Sequence, residues 1–422
     1  MPLLYHFTHS NVNAENGKYS FDIFKISVHN AQVFLLQELF AYFYLSFLFY
    51  CRFYEYLCIY CACHFIPIHR QRIGTQVSSR ILGKNVQPAL QKSQIGDTIQ
   101  KNSFGRMDMT LIWILAAILI LVLLIAFLCF YLVFFVPKHG PVAADDYTIP
   151  NGEIYEVFRD QMVGWMKEVR AMPHEDFFIT SFDGLQLHGR FYEYAPGAPI
   201  ELMFHGYRGN GDRDLCGGVQ RCFSIGRSCL LVDQRAAGES QGKVITFGIK
   251  EHRDCLAWVD FMVDHFGSDV KIILTGISMG ASTVLMAAGA PLPPQVKGVL
   301  ADCGFTSAKA IIQKICRQLK LPQRPVYIFV RLGARLYGGF DPDSYSALEA
   351  VTHATVPVIF FHGITDTFVP WEMSKENFDA CAGRKQLVTI PGAGHGLSYP
   401  VDPEGYLEAL TAFFGPELSA KA

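Results

Sequence analysis

The stretch Lys271-Ile-Ile-Leu-Thr-Gly276-Ile277-Ser278-Met279-Gly280 decides the fold. Its first half is apolar and β-branched, the pattern of a buried strand. It then passes through Gly-x-Ser-x-Gly into a run rich in small residues (Ala281, Ser282, Ala287, Ala288) suited to a close-packed helix. A strand that turns this sharply into a helix lifts the Ser278 hydroxyl clear of the sheet. Glycine flanks the serine because a Cβ at Gly276 or Gly280 would collide with the neighbouring strand and helix.

Working outward, eight apolar, β-branched or aromatic runs read as strands: 176–182, 185–194, 200–205, 228–233, 271–277, 296–302, 357–362 and 386–391. Asp183-Gly184 between the first two predicts an antiparallel hairpin. From the third strand onward helical patterns intervene, at 212–225, 250–266, 279–288, 344–351, 371–382 and 404–414. This alternation predicts an eight-stranded, mostly parallel α/β sheet with helices on both faces. Residues 305–340 depart from it, with two helical patterns (309–319 and 326–336) and no strand. Lying between the sixth and seventh strands, they are expected to form a small helical cap over the carboxyl edge of the sheet, where ligands bind in doubly wound folds, the alternative being an ordinary crossover helix with extra length.

A serine becomes a nucleophile only when a base takes its proton and a third group orients that base. Candidates follow at strand ends: Asp366 after the seventh strand, and His395, between Gly394 and Gly396, after the eighth. Asp302, closing the sixth strand, is the rival acid. A developing oxyanion needs N–H donors. The backbone N–H of Met279, at the start of the helix behind Ser278, and that of Tyr207, in Phe204-His-Gly-Tyr207-Arg-Gly209, are expected to provide them. His205 and Gly206 read as supports of that loop, and the set needs no metal or organic cofactor.

Residues 175–415 resemble the α/β-hydrolase superfamily. The order Ser278, Asp366, His395 is that family's, and the His205-Gly206 loop and the Gly394-His395 pair match its motifs. The turn Asp233-Gln-Arg235-Ala-Ala-Gly238-Glu-Ser240 is similar to a family element that usually has Arg-Gly where this chain has Arg235-Ala236. Within the superfamily the chain is most similar to bacterial membrane-anchored serine hydrolases of esterase or lipase type. The resemblance implies two-step acyl transfer on a small-molecule ester or thioester. A serine peptidase or an acyltransferase on the same fold are the alternatives, with a non-catalytic membrane adaptor the remotest.

Charge and hydropathy divide the 422 residues into three regions. With 36 basic against 38 acidic residues there is no excess to hold a polyanion, which argues against a nucleic-acid partner. Residues 1–106 carry 10 basic and 5 acidic residues, 107–136 only Asp108, and 137–422 carry 26 and 32. From Leu111 to Val136 there is no charge, Gly, Pro, Asn or Gln. At about 1.5 Å per residue this run is long enough for a hydrocarbon layer of about 30 Å. It predicts a single-pass anchor within 107–137; the alternative is a signal peptide cleaved at Val142-Ala143-Ala144, for which the run is about twice the usual length. A juxtamembrane linker and amphipathic helix should follow over 138–174, the helix marked by Ile154, Val157, Phe158, Met162, Trp165, Met166 and Val169. Lys92, Lys101 and Arg106 precede the run, whereas Lys138 alone follows it among Asp145, Asp146 and Glu153. The positive-inside rule then predicts a catalytic region on the extracytoplasmic side.

Residues 1–106, with thirteen Phe or Tyr between 34 and 65 and no sustained periodicity, are expected to be a leader ahead of a working start at Met107 or Met109. The alternative is a second membrane-associated segment at 39–51. The twelve cysteines show no disulfide framework. Cys61-Ala-Cys63-His64 lacks the second ligand pair that a zinc site needs.

Overall fold

The computed structural model describes residues 94–419, with side chains from 109 to 418. The leader up to residue 93, with the segment 39–51 and Cys61-Ala-Cys63-His64, lies outside the described residues. All eight expected strands form: β1 Glu175–Thr180, β2 Gln186–Tyr192, β3 Ile200–Phe204, β4 Ser228–Asp233, β5 Ile272–Ile277, β6 Val296–Asp302, β7 Val358–Gly363 and β8 Lys385–Ile390. They make one sheet in the order β1-β2-β4-β3-β5-β6-β7-β8. β2 runs antiparallel to β1 and β4, and every other pairing is parallel. The chain is therefore an α/β protein with the eight-stranded, mostly parallel sheet that the alternation predicts.

Helices cover both faces because the central strands are apolar on both sides; β3, β4 and β7 are buried along their whole length. On one face α2 (Arg159–Ala171) and α3 (Cys216–Ser224) bury Met162, Met166, Val169, Val219 and Cys222 against Met203 and Leu231. α9 (Pro403–Ser419) closes that face with Leu410, Phe413 and Phe414 against Leu300 and Phe361. The other face carries α4 (Glu251–Phe266), α5 (Met279–Ala288) and α8 (Trp371–Ala380). Each large apolar side chain so buried contributes about 1.5–3 kcal/mol. A charged cluster interrupts this core: Glu201, the second residue of β3, is fully buried and accepts from Arg221 and Arg227, also buried, and from Thr275.

Between β6 and β7 lie α6 (Ala308–Gln318), α7 (Gln323–Gly333) and a π-helical turn, Ala334–Gly338, with no strand. This is the expected cap. From α6, Lys314 donates to the Phe368 carbonyl (2.6 Å) and Gln318 to that of Thr367 (2.9 Å), which fixes the cap over the loop that follows β7.

α1 (Gln94–Val133) contains the apolar run, and Met109–Val133 is long and apolar enough to cross a membrane. The run does not stay helical to Val136. Phe135 leaves the helix and forms an antiparallel bridge with Val244, Val136 N–H donating to the Lys243 carbonyl (2.8 Å) and Ile245 N–H to that of Phe134 (2.9 Å). The segment after it, expected as a linker, is irregular but tied down. The His139 ring reaches the carbonyls of Gly238 (3.1 Å) and Gly242 (2.7 Å), and Arg170 donates to those of Ala144 and Asp146. The amphipathic lead-in also differs from expectation. Glu153–Glu156 is a separate turn, α2 begins only at Arg159, and Val157 is 82% exposed. The break has a cause: the turn directs the Tyr155 hydroxyl to the His395 carbonyl (2.9 Å).

Among the described residues all eight cysteines are buried and free of disulfides.

Candidate active site

Four loops at the carboxyl ends of β3, β5, β7 and β8 converge. At the end of β5 the chain turns through Ser278 with φ 58° and ψ −116°, then enters α5. A non-glycine residue held there stores about 1–3 kcal/mol of strain. Packing enforces the turn: a Cβ on Gly276 would fall 2.2 Å from the Gly280 carbonyl oxygen, and one on Gly280 would fall 2.0 Å from that of Phe204. Ser278 N–H donates to the Asp302 carbonyl (2.8 Å), which ties the turn to β6.

Ser278, His395 and Asp366 are brought together. Ser278 Oγ lies 2.9 Å from His395 Nε2, and His395 Nδ1 lies 2.7 Å from Asp366 Oδ2. Asp366 Oδ1 accepts from the N–H groups of Phe368 (2.8 Å) and Val369 (2.9 Å). Burial pushes the Asp366 carboxyl up, but hydrogen bonds from His362 and His395, the His395 charge and the Val369 N–H outweigh it and hold the group well below the usual carboxylate range. A permanent anion beside Nδ1 selects the tautomer that leaves Nε2 free to face the serine. Phe368 stands edge-on to the His395 ring at 5.0 Å.

The rival acid, Asp302, is engaged elsewhere. Its carboxylate accepts from Ser398 Oγ (2.7 Å) and Tyr406 Oη (3.2 Å). Burial pushes its carboxyl up, against the pull of those two donors.

The loop after β3 lies beside Ser278, since a Cβ on Gly206 would be 3.5 Å from Ser278 Cβ. Gly206 N–H donates to Asp214 Oδ2 (3.0 Å), and His205, buried, accepts from the Gln234 N–H (3.1 Å) while its own carbonyl accepts from Gln234 Nε2 (2.6 Å). His205 and Gly206 are thus the loop supports expected. Met279 and Tyr207 are the residues after Ser278 and Gly206, so their backbone N–H groups belong to the two segments that border the serine. The Tyr207 side chain turns away, donating to the Val133 carbonyl (2.7 Å).

Three residues that the sequence reading did not single out support this arrangement. His362, fully buried at the end of β7, lies with Nε2 3.2 Å from Asp366 Oδ2 and 2.9 Å from the Val369 carbonyl, and its Nδ1 is bonded to Ser374 Oγ (2.7 Å). Tyr155 holds the His395 backbone, and Asp214 holds Gly206. His362 alone left a trace in sequence, as a histidine four residues before Asp366 at a strand end. Among the described residues, Cys303, Asp366 and His395 form the group with metal-ligand spacing. Two of them are committed to the hydrogen-bond chain, and burial pushes the Cys303 thiol well above its ordinary value, which disfavours a thiolate ligand.

The departure at Ala236 also has a structural meaning. Its φ is 62°, the left-handed conformation that glycine adopts freely.

Comparison with known proteins agrees with this fold. Residues 202–354 match the family profile described as the alpha/beta hydrolase fold. The chain is 26% identical over 192 residues to the uncharacterized protein YqkD of Bacillus subtilis, covering 45% of this chain and 63% of that protein. It is 24% identical over 269 residues to the uncharacterized protein YfhR of Salmonella typhimurium, covering 58% of this chain and 83% of that one. Among solved structures, the esterase Pf2001 of Pyrococcus furiosus superposes with a TM-score of 0.50 at 21% identity, over 67% of this chain and 98% of that one.

Proposed function

We propose, from the match of residues 202–354 to the alpha/beta hydrolase fold and the shared fold of an esterase, that this chain is a membrane-anchored serine hydrolase of the α/β-hydrolase superfamily that cleaves a carboxylic ester or thioester. The observation that carries the reading is the hydrogen-bonded chain Ser278–His395–Asp366 at the carboxyl edge of the sheet. His395 Nε2 takes the Ser278 proton as Oγ attacks the carbonyl. Asp366, buried and anionic, orients the imidazole and stabilises the imidazolium. The N–H groups of Met279 and Tyr207 receive the oxyanion, each donor of this kind being worth roughly 3–4 kcal/mol. His395 then protonates the leaving group, and water, activated by the same imidazole, releases the acyl chain from Ser278. Met109–Val133 anchors the enzyme, with Lys101 and Arg106 on the cytoplasmic side.

The test is fluorophosphonate labelling of the full chain, followed by a p-nitrophenyl ester series of increasing acyl length. The wild type is expected to label and to turn over esters, and Ser278→Ala to do neither. Labelling that survives Ser278→Ala would refute the nucleophile, and labelling without ester turnover would shift the activity to peptidase or acyltransferase chemistry.

A further inference from the structure

The apolar run contains more residues than a bilayer requires, and the cap is packed against its second half. Crossing about 30 Å of hydrocarbon takes about 20 helical residues. The helical part of the run is 23 residues long, from Leu111 to Val133. Wherever that span is placed within it, residues 114–130 fall inside the hydrocarbon. Those residues are not free of the catalytic domain. Tyr337 Oη donates to the Leu123 carbonyl (3.2 Å), and the Tyr337 ring stands edge-on to Phe127 at 5.2 Å. A Cβ on Gly333 would fall 2.2 Å from the Ala126 carbonyl oxygen, so the end of α7 meets α1 backbone to backbone. Ala126, Cys129 and Phe130 are buried by this contact, whereas Leu111–Leu115 and Ile118–Leu121 are exposed.

If the cap stayed in water, the anchor would be left with the residues before Leu123, too few to span. The cap's own surface fits the other solution. Ile328, Leu336 and Tyr337 are 64%, 53% and 40% exposed. Residues 305–340 contain seven basic side chains and no acidic one, inside a region (137–422) that otherwise holds 19 basic and 32 acidic residues. Arg331 and Arg335 are paired with Asp341, whereas Lys309, Arg317, Lys320 and Arg324 are exposed. Exposed apolar side chains beside an unbalanced set of cations are the composition of an element that lies in the interface of an anionic bilayer.

Building on the reading of Met109–Val133 as a membrane anchor, we propose that the cap is seated in one leaflet of the bilayer, with 333–338 at hydrocarbon depth beside Leu123–Phe130. The loops beside Ser278 and His395 are joined to this seat. The loop carrying Tyr207 and Arg208 bonds the carbonyls of Val133, Leu132 and Phe135, and α6 bonds those of Thr367 and Phe368 next to His395. Ser278 therefore opens on the lipid surface, and its acyl substrate reaches it from the leaflet.

The test uses the full chain and its Leu336→Trp variant in vesicles of phosphatidylcholine and phosphatidylglycerol, with and without brominated acyl chains. Emission is read as the difference between variant and wild type, which cancels Trp113 in the anchor. The added indole is expected to emit at shorter wavelength and to be quenched by brominated lipid. A chain that floats with the vesicles but whose added indole emits as in water, unquenched, overturns the leaflet seat alone. A chain that fails to float overturns the anchor and the seat with it.

Discussion

Replacing Glu201 by Gln tests how the sheet beneath the site is held. Glu201 is fully buried in β3, with Arg221 Nη2 at 2.6 Å, Arg227 Nη1 at 2.6 Å and Thr275 Oγ1 at 2.8 Å. Burial pushes its carboxyl up, but the Arg221 and Arg227 charges and their hydrogen bonds outweigh that and bring it to about 2, against an ordinary 4.5. At 1.36 kcal/mol per pKa unit, the difference corresponds to about 3 kcal/mol of stability. That agrees with the roughly 3–5 kcal/mol lost when one partner of a buried ion pair is removed. The group's folded value lies below its unfolded one, so the contribution is complete above about 4.5 and disappears as pH falls through about 2. Glu201→Gln should therefore unfold with about 3 kcal/mol less stability at neutral pH. Its deficit against wild type should shrink steadily on acidification. Urea titrations of the detergent-solubilised chain, followed by the fluorescence of the fully buried Trp258, measure both. Other carboxylates titrate in the same range, but they are common to both proteins and cancel in the difference. Equal midpoints at neutral pH, or a deficit independent of pH, would refute the reasoning.

His362→Phe removes a donor to Asp366 at a position that is fully buried, away from any substrate. kcat should fall roughly tenfold, the equivalent of about 1.4 kcal/mol from one hydrogen bond to a charge, with KM unchanged in steady-state kinetics. Asp366→Asn should cost about 10⁴ in kcat, whereas Asp302→Asn, whose carboxylate is held by Ser398 and Tyr406, should cost less than about tenfold. Comparable losses in the two variants would mean that Asp302 shares the acid's role.

What the sequence made legible was what local chemistry dictates. β-branched runs between turn residues located every strand to within two residues, because both faces of the sheet are buried and the patterning is continuous. Ser278, Asp366 and His395 stood out because each follows a strand and two of them are set among glycines. The features that were hidden depend on partners far away in the chain. The helical pattern across 154–169 gave no hint of its break at Val157, since the break serves a hydrogen bond from Tyr155 to a carbonyl 240 residues downstream. Phe134, Phe135 and Val136 read as the end of a membrane helix, and only their pairing with 243–245 draws them out of it. Asp214 and His362 look like ordinary surface and strand residues until the fold places Gly206 and Asp366 against them.

The bridge between Phe135 and Val244 makes the junction a bearing and not a tether. A body hung on a flexible leash would explore all orientations and meet substrate as a solute. In the proposed membrane-anchored enzyme, a body clamped through the bridge and through His139 is left chiefly with rotation about the membrane normal. With substrate drawn from the leaflet, as proposed, encounters occur in two dimensions, set by the mole fraction of substrate among the lipids. Diluting the vesicles in buffer would leave the rate per enzyme unchanged, whereas diluting the substrate with inert lipid would lower it.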